Sequence, residues 1–203
     1  MNRKVKVAIT AVVLLLLSSS AWALPIAGDK VTMANDGQVP YTMVYGNEVF
    51  SSFCLEAKNY FSPGGTYLVT SVGDYATGGG VGAGINGDPV SAESMWLYAA
   101  YMDHLFSGVS AQTVQDAIWY MEGEITNGSA WATLANLYDA AYLTKNNWTV
   151  VAVNLSSAAY PDAQSQLIGL KTTAPVPEPA TMLLLGTGLV GLAGIGRKKI
   201  KKS

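Results

Sequence analysis

Hydrophobic and polar positions alternate in two separate parts of the chain, and both parts are rich in β-forming residues. This pattern predicts half-buried strands. The turn dipeptide Gly46-Asn47 separates the first two segments, which indicates a hairpin. The predicted strands are residues 39–45, 48–55 and 66–72, followed much later by residues 148–155 and 164–170.

Between the two strand regions, apolar residues recur at the spacing of amphipathic helices. The first predicted helix covers residues 89–106, with Asp88-Pro89 at its start. The second covers residues 110–123, with Ser110 as its N-cap. The third begins near Ser129, and its buried stripe is predicted to be Leu134, Leu137, Tyr138, Ala141 and Tyr142. Strands, a helical insert and returning strands predict an α+β domain whose barrel-like sheet is closed by the C-terminal strands.

A glycine-rich segment at residues 73–87 separates the first strands from the helices and is predicted to be a flexible loop. Residues 82–87 match the G-x-G-x-x-G pattern of dinucleotide sites. Such a site needs the motif tightly between a strand and its helix, whereas Asp88-Pro89 restarts the chain after it. We therefore expect neither a nucleotide nor any other cofactor.

The first 23 residues have the features of a secretory signal peptide. Basic residues precede an apolar run at 7–17, and Ala21-Trp22-Ala23 supplies a small-x-small cleavage pattern. The run is shorter than the about 20 residues of a membrane span. We expect cleavage after Ala23, which leaves a domain at residues 24–173.

The other end of the chain, residues 174–203, has three consecutive parts. Pro177-Glu178-Pro179 precedes an uncharged run at 180–196, which is predicted to cross a membrane, and a basic cluster follows it. This arrangement resembles the PEP-CTERM sorting signal of Gram-negative bacteria. The resemblance implies processing by a membrane enzyme, the exosortase, and a transient anchor in the inner membrane through a C-terminal helix. The protein would then reach the cell surface or the extracellular matrix.

Charge and cysteine content narrow the chemistry of the central domain. Residues 24–179 hold four basic and fourteen acidic residues, so this part carries a net charge of −10 and is a poor partner for nucleic acid. The single cysteine, Cys54, excludes an intramolecular disulfide and a cysteine-rich metal site, and we expect no bound metal. In an exported protein this thiol is a buried apolar filler, an intermolecular partner or a reactive group.

Two short motifs stand out on the predicted strand and the second predicted helix. Cys54 lies within Phe53-Cys54-Leu55, and Gln115 shares a helical face with Ile118 and Trp119. By spacing alone, Cys54 is an inert core residue and Gln115 is a hydrogen-bonded glutamine at the edge of the core.

Together, however, the motifs resemble those of bacterial thioester domains on surface adhesins. Phe53-Cys54-Leu55 is similar to their aromatic-Cys-hydrophobic motif, and residues 114–119 are similar to their hydrophobic-Gln-x-x-hydrophobic-Trp motif, often written TQXA, with Val114 in place of threonine. The resemblance implies that Cys54 and Gln115 join as an internal thioester. It also implies a partner that presents an amine or hydroxyl nucleophile on a surface.

Three functions are therefore weighed. The first is a surface-displayed adhesion module, not a turnover enzyme, that captures a target covalently through the Cys54–Gln115 thioester. The second is a structural matrix or exopolysaccharide-associated protein with an unreactive cysteine. The third is a cysteine hydrolase that uses Cys54 with His104, the single histidine, for which no orienting group or oxyanion hole is evident.

Overall fold

This computed structural model describes residues 23–34, 37–77, 87–172 and 187, and the strands and helices named below lie in the compact unit Trp22–Thr172. The strands are β1 (Lys30–Met33), β2 (Tyr41–Tyr45), β3 (Glu48–Cys54), β4 (Thr66–Gly73), β5 (Tyr75–Ala76), β6 (Asp88–Pro89), β7 (Trp148–Ser156) and β8 (Ala163–Lys171). The helices are α1 (Ala92–Met102), α2 (Ala111–Met121), α3 (Ser129–Leu134) and α4 (Tyr142–Lys145), with a 3₁₀ turn at Ala135–Leu137.

Six strands form a closed antiparallel barrel in the order β1-β2-β3-β8-β7-β4, and β4 pairs with β1 to close it. The predicted α+β class and the closing role of the two C-terminal strands are thereby confirmed. Strand β1 was not predicted, because its four residues are too few to show a clear alternation. Strands β5 and β6 form a separate two-stranded ladder.

The barrel is filled on the inside and covered by helices on the outside, because strand residues alternate between two faces. Met33, Met43 and Phe50 belong to the interior cluster, whereas Phe53 belongs to the cluster shared with the helices. Helix α1 packs on β7 and β8, and α2 packs on α1 and on β3. This arrangement sets α2 beside the end of β3.

The two main helices begin where serine side chains can cap them. Ser91 Oγ accepts from the Ser94 amide, and Ser110 Oγ accepts from the Thr113 amide, each at 3.1 Å. The predicted cap at Ser110 is confirmed. The predicted start of the first helix at Asp88-Pro89 is wrong, because these residues pair with β5 as strand β6.

The third predicted helix is also only partly right, because it breaks into α3, a 3₁₀ turn and α4. Leu134 is buried, as predicted, but Leu137 is 46% exposed and does not belong to a buried stripe. Gly128 occupies the N-cap position, with no side-chain cap. Each of the two short helices can turn its own apolar residues towards the core. The prediction of one continuous buried stripe therefore does not hold.

The segments with predicted targeting roles lie outside the described residues, apart from Ala23 and Thr187. Among the helices of the described ranges, none combines the length and the apolar character needed to cross a bilayer. The run at 180–196 therefore stays a prediction from the sequence.

Gly169 on β8 is predicted to set the distance between α1 and the sheet. A Cβ atom there would lie 2.5 Å from Cε1 of Tyr98, a fully enclosed ring on α1. Gly169→Ala should therefore lower the free energy of unfolding by about 1–3 kcal/mol, the range for overpacking a core. Gly73→Ala is the matched control, because its Cβ would meet only the Tyr75 ring, at an ordinary 3.6 Å. Equal losses in urea unfolding of the two variants would contradict this account.

Candidate functional site

Cys54 is the last residue of β3, and it has no pairing partner on the neighbouring strand β2. The pairs between β2 and β3 end at Tyr41 and Ser52. On the other side, the Leu55 amide donates to the Ser165 carbonyl on β8 at 3.0 Å. Successive amides of a strand point to opposite edges. The N–H and C=O of Cys54 therefore point to the edge that β2 no longer covers.

Gln115 on α2 occupies this edge with its side chain. Its Oε1 accepts from the Cys54 N–H at 2.8 Å, and its Nε2 donates to the Cys54 C=O at 2.7 Å. The carboxamide replaces the next strand over the length of one residue, which satisfies two buried backbone groups. The structure thus brings together the two residues that the sequence motifs singled out, across 61 positions of the chain.

The Cys54 thiol contacts a second side-chain amide, that of Gln166. Cys54 pairs with Gln166 in the β3–β8 ladder, and Gln166 Nε2 lies 3.5 Å from Sγ. Ser52 Oγ donates to Gln166 Oε1 at 2.9 Å, which directs the N–H groups of the amide towards the sulfur. Burial raises the pKa of the Cys54 thiol to about 12, although the Gln166 hydrogen bond acts in the opposite direction. The free cysteine is therefore neutral at physiological pH.

The apolar residues of the two motifs enclose this site unequally. Phe53, Leu55 and Ile118 are buried in the core between the barrel and the helices. The Phe53 ring packs edge-to-face on Tyr101, at 5.5 Å between centroids. Trp119 is only half-buried, and its indole N–H is enclosed without a hydrogen-bond partner in the described ranges. Exclusion of water therefore depends more on the Phe53 side of the site than on Trp119.

A second polar group, not found from the sequence, follows Cys54 directly. Glu56 is buried, and both of its carboxylate oxygens contact Ser165 of β8. Ser165 in turn contacts Asn154 of β7 at 2.6 Å. The signal in the sequence was Asn154 and Ser165, polar residues inside predicted strands, and Glu56, which follows another predicted strand. Single-sequence patterns give no means of pairing them.

His104 lies on the surface, whereas the Cys54 thiol is buried. It follows α1 with a positive φ of 57°, is exposed, and lines an open surface cavity of about 520 Å³ with Ser51, Tyr101 and Met102. In the described part of the chain, the hydrogen-bond partners of Cys54 include Gln115 and Gln166 but not His104. The hydrolase alternative thus has no assembled Cys54–His104 dyad.

Comparison with known proteins identifies a sorting motif in the C-terminal segment. Residues 175–198 match the family model of the PEP-CTERM protein-sorting motif. The chain therefore carries the sorting signal predicted from Pro177, Glu178 and Pro179. This signal is that of an exported protein, anchored transiently in a membrane before an exosortase-like enzyme cleaves it.

The match does not extend to the domain that contains Cys54 and Gln115. No curated protein and no solved structure matches the chain. The comparisons give the thioester resemblance no support, so it stays a resemblance of two short sequence motifs.

The pairing between Gln115 and Cys54 predicts a specific loss of stability. In a Cys54→Ala background, where no covalent bond can contribute, Gln115→Leu leaves one buried N–H and one buried C=O unpaired. Each unpaired group costs about 1–3 kcal/mol. Urea unfolding of this double variant against Cys54→Ala alone measures the sum.

Gln112→Leu in the same background is the control, because Gln112 is exposed on the same helix and bonds only Asp116 among the described contacts. Its effect should stay within about 0.5 kcal/mol, as for most surface substitutions. Similar small losses for both glutamines would contradict the strand-replacing role of Gln115.

Proposed function

We propose that the domain at residues 24–173 is an exported binding module that stores an internal thioester between Cys54 and Gln115. The thioester acylates an amine or hydroxyl on a target surface, once per molecule and without turnover. The observation that carries this proposal is the two-point pairing of the Gln115 carboxamide with the backbone of Cys54 itself. This pairing holds the acyl group beside the residue that provides the thiol.

Formation of the bond joins two residues that already contact each other through the Gln115 side chain and the Cys54 backbone. Cys54 Sγ attacks Cδ of Gln115, the C–N bond breaks, and the nitrogen leaves as ammonia with the thiol proton. Negative charge develops on Gln115 Oε1 during the attack. The Cys54 N–H, 2.8 Å from that oxygen, acts as its oxyanion donor. The Cys54 carbonyl, 2.7 Å from Nε2, orients the departing nitrogen.

Burial affects both the stored bond and the step that forms it. Cys54 is 2% exposed and Gln115 is fully buried, so bulk water has little access to the bond. Exclusion of water slows hydrolysis of a reactive acyl group. Burial also keeps the free thiol protonated, so in the formation step its proton passes to the departing nitrogen as the C–S bond forms.

Capture of a target reverses the roles of the same atoms. An amine attacks the thioester carbonyl, the C–S bond breaks, and the sulfur recovers a proton from the amine. The product is an amide between the Gln115 acyl group and the target. Gln166 Nε2, 3.5 Å from Sγ, supplies a hydrogen bond to the departing thiolate, which burial otherwise makes a poor leaving group.

The sorting signal supports a role outside the cytoplasm, because export brings the domain to surfaces that present such nucleophiles. Display on the cell surface or in the extracellular matrix is part of the proposal. Adhesion would then follow from the covalent bond and would not require a large contact area.

The intact mass of the folded, mature protein tests the proposal directly. We expect a mass lower than the sequence mass by one ammonia, and addition of one methylamine after treatment with that amine. Cys54→Ala and Gln115→Glu should each abolish both changes, since the first lacks the thiol and the second lacks the amide nitrogen. His104→Ala should retain both.

A full sequence mass, with a titratable thiol in freshly prepared native protein, would contradict the thioester. The second candidate, a matrix-associated protein with an unreactive cysteine, would then be preferred. One observation favours it: pairing with the Cys54 backbone explains the burial of Gln115 without any covalent bond. Loss of a hydrolytic activity in His104→Ala would instead favour the cysteine hydrolase.

Gln166 is predicted to control the rate at which amines open the bond. Gln166→Leu removes the donor to the thiolate, and hydrogen bonds to charged groups contribute about 1.5–3 kcal/mol. Methylamine should therefore open the thioester roughly 10- to 100-fold more slowly, as measured by mass against time.

Ser52→Ala provides the matched control for Gln166. This change removes the contact to Gln166 Oε1 but keeps the donor, so its effect on the rate should be smaller. Thermal unfolding of both variants separates a rate effect from loss of fold. Opening at the rate of the unchanged protein in a folded Gln166→Leu variant would exclude the donor role.

A further inference from the structure

Glu56 forms a buried junction between the end of β3 and strand β8. Its side chain is 3% exposed. Oε2 accepts from the Ser165 amide at 2.7 Å, and Oε1 lies 2.7 Å from Ser165 Oγ. The Glu56 carbonyl also accepts a hydrogen bond from the side chain of Gln164.

Ser165 Oγ has a second oxygen partner whose role is fixed. Asn154 Oδ1 lies 2.6 Å from Ser165 Oγ and also accepts from the Thr77 amide. Asn154 Nδ2 donates to Ser71 Oγ and to the Tyr75 carbonyl. A flipped amide would set two donors against each other at Thr77 and two acceptors against each other at Tyr75. Oδ1 is therefore an acceptor only.

The number of protons in this junction decides the state of Glu56. Ser165 Oγ carries one hydrogen, yet both of its short oxygen contacts require one. If Ser165 donates to Asn154, the contact with Glu56 needs a hydrogen from Glu56. An ionised Glu56 would leave two buried oxygens in contact at 2.6–2.7 Å without a hydrogen between them.

The charges around Glu56 act in the same direction. Burial raises the pKa of the Glu56 carboxyl, and the nearby Glu124 carboxylate from the segment after α2 raises it further, although the Ser165 hydrogen bonds oppose this. Cys54 on β3 is the other titratable group that interacts with it. Asn154 on β7 and Gln164 and Ser165 on β8 are neutral. Neither ion pair of the described residues includes Glu56.

We propose that Glu56 is held as a neutral carboxylic acid that donates to Ser165 and so holds Cys54 in its enclosed position beside Gln115 and Gln166. Leu55 and Glu56 are both bonded to Ser165, so the two residues after Cys54 are fixed to β8 at one point. This attachment keeps Cys54 opposite Gln166 and its backbone turned to Gln115. The protonation stands independently of the thioester, whereas the effect on reactivity rests on the proposed function.

The neutral acid makes the junction sensitive to pH in a defined direction. A group whose pKa is raised by folding contributes its stability below the unfolded value, here 4.5, and that contribution is lost as pH rises through the folded value. Ionisation removes the hydrogen shared with Ser165. The attachment beside Cys54 should then loosen and admit amines to the enclosed bond. The thioester should therefore open faster at equal concentrations of free base.

The test compares the unchanged protein with Glu56→Gln, whose side-chain amide can donate permanently to Ser165 Oγ and accept from its N–H. Infrared spectra at about pH 6, where ordinary glutamic acid is ionised, should show a protonated carboxyl band that Glu56→Gln removes. Glu124→Gln is the control and should retain the band. Glu56→Gln should also fold and reduce the loss of stability with rising pH.

Two further measurements follow the position of Cys54. The Leu55 amide, bonded to Ser165, should lose protection from hydrogen exchange as pH rises, beyond the intrinsic acceleration, and Glu56→Gln should remove this excess. In the unchanged protein, the rate at which methylamine opens the thioester should rise with pH. In Glu56→Gln this rise should be absent. These expected results would support the positioning role.

Absence of the carboxyl band, or a Glu56→Gln variant that is strongly destabilised, would overturn the neutral acid. If the Leu55 amide keeps the same protection from hydrogen exchange over the pH range in which stability falls, the positioning role is overturned. An intact mass equal to the sequence mass would refute the thioester but not the neutral Glu56. The infrared and hydrogen-exchange measurements would still decide the protonation state and the role of Glu56.

Discussion

The site depends on one pairing, in which a side-chain amide takes the place of a missing strand. Strand β2 ends before it can pair with Cys54, and two backbone groups would otherwise be buried without partners. Gln115 satisfies both, at 2.8 and 2.7 Å. The pairing holds α2 against the barrel and sets an amide on the backbone of the residue that carries the thiol. Gln115 thus satisfies buried backbone groups and is also the proposed acyl partner of Cys54. Its burial is expected for either role and does not distinguish them.

A closed barrel gives this pairing its precision. Cys54 is fixed on the other side by Gln166 of β8, in a ladder that continues through β7 and β4 to β1. Because no strand of the ring can slide independently, register errors that would turn the thiol to the other face are suppressed. The polar side chains around Cys54 can then act as fixed dipoles, which is the condition under which such groups influence a reaction.

Local signals in the sequence predicted much of the fold. Gly46-Asn47 marked the first hairpin, Ser110 marked the start of α2, and alternation marked the long strands. Pro89 misled, since it lies in a short strand instead of a first helical turn. The contacts of Gln166 and Glu56 could not be predicted, because their partners lie 112 and 109 positions away and depend on the register of β3 against β8.

The gap beside Cys54 also matters for association between chains. A closed sheet offers no free strand edge, and exposed edges are where further chains add by β-pairing. Within the described residues, the Gln115 side chain covers the one residue of β3 that β2 leaves unpaired. Whatever draws its side chain outwards, a captured target included, uncovers a donor and an acceptor spaced as a strand presents them. Covalent attachment to a surface and recruitment of another chain would then be two results of the same displacement.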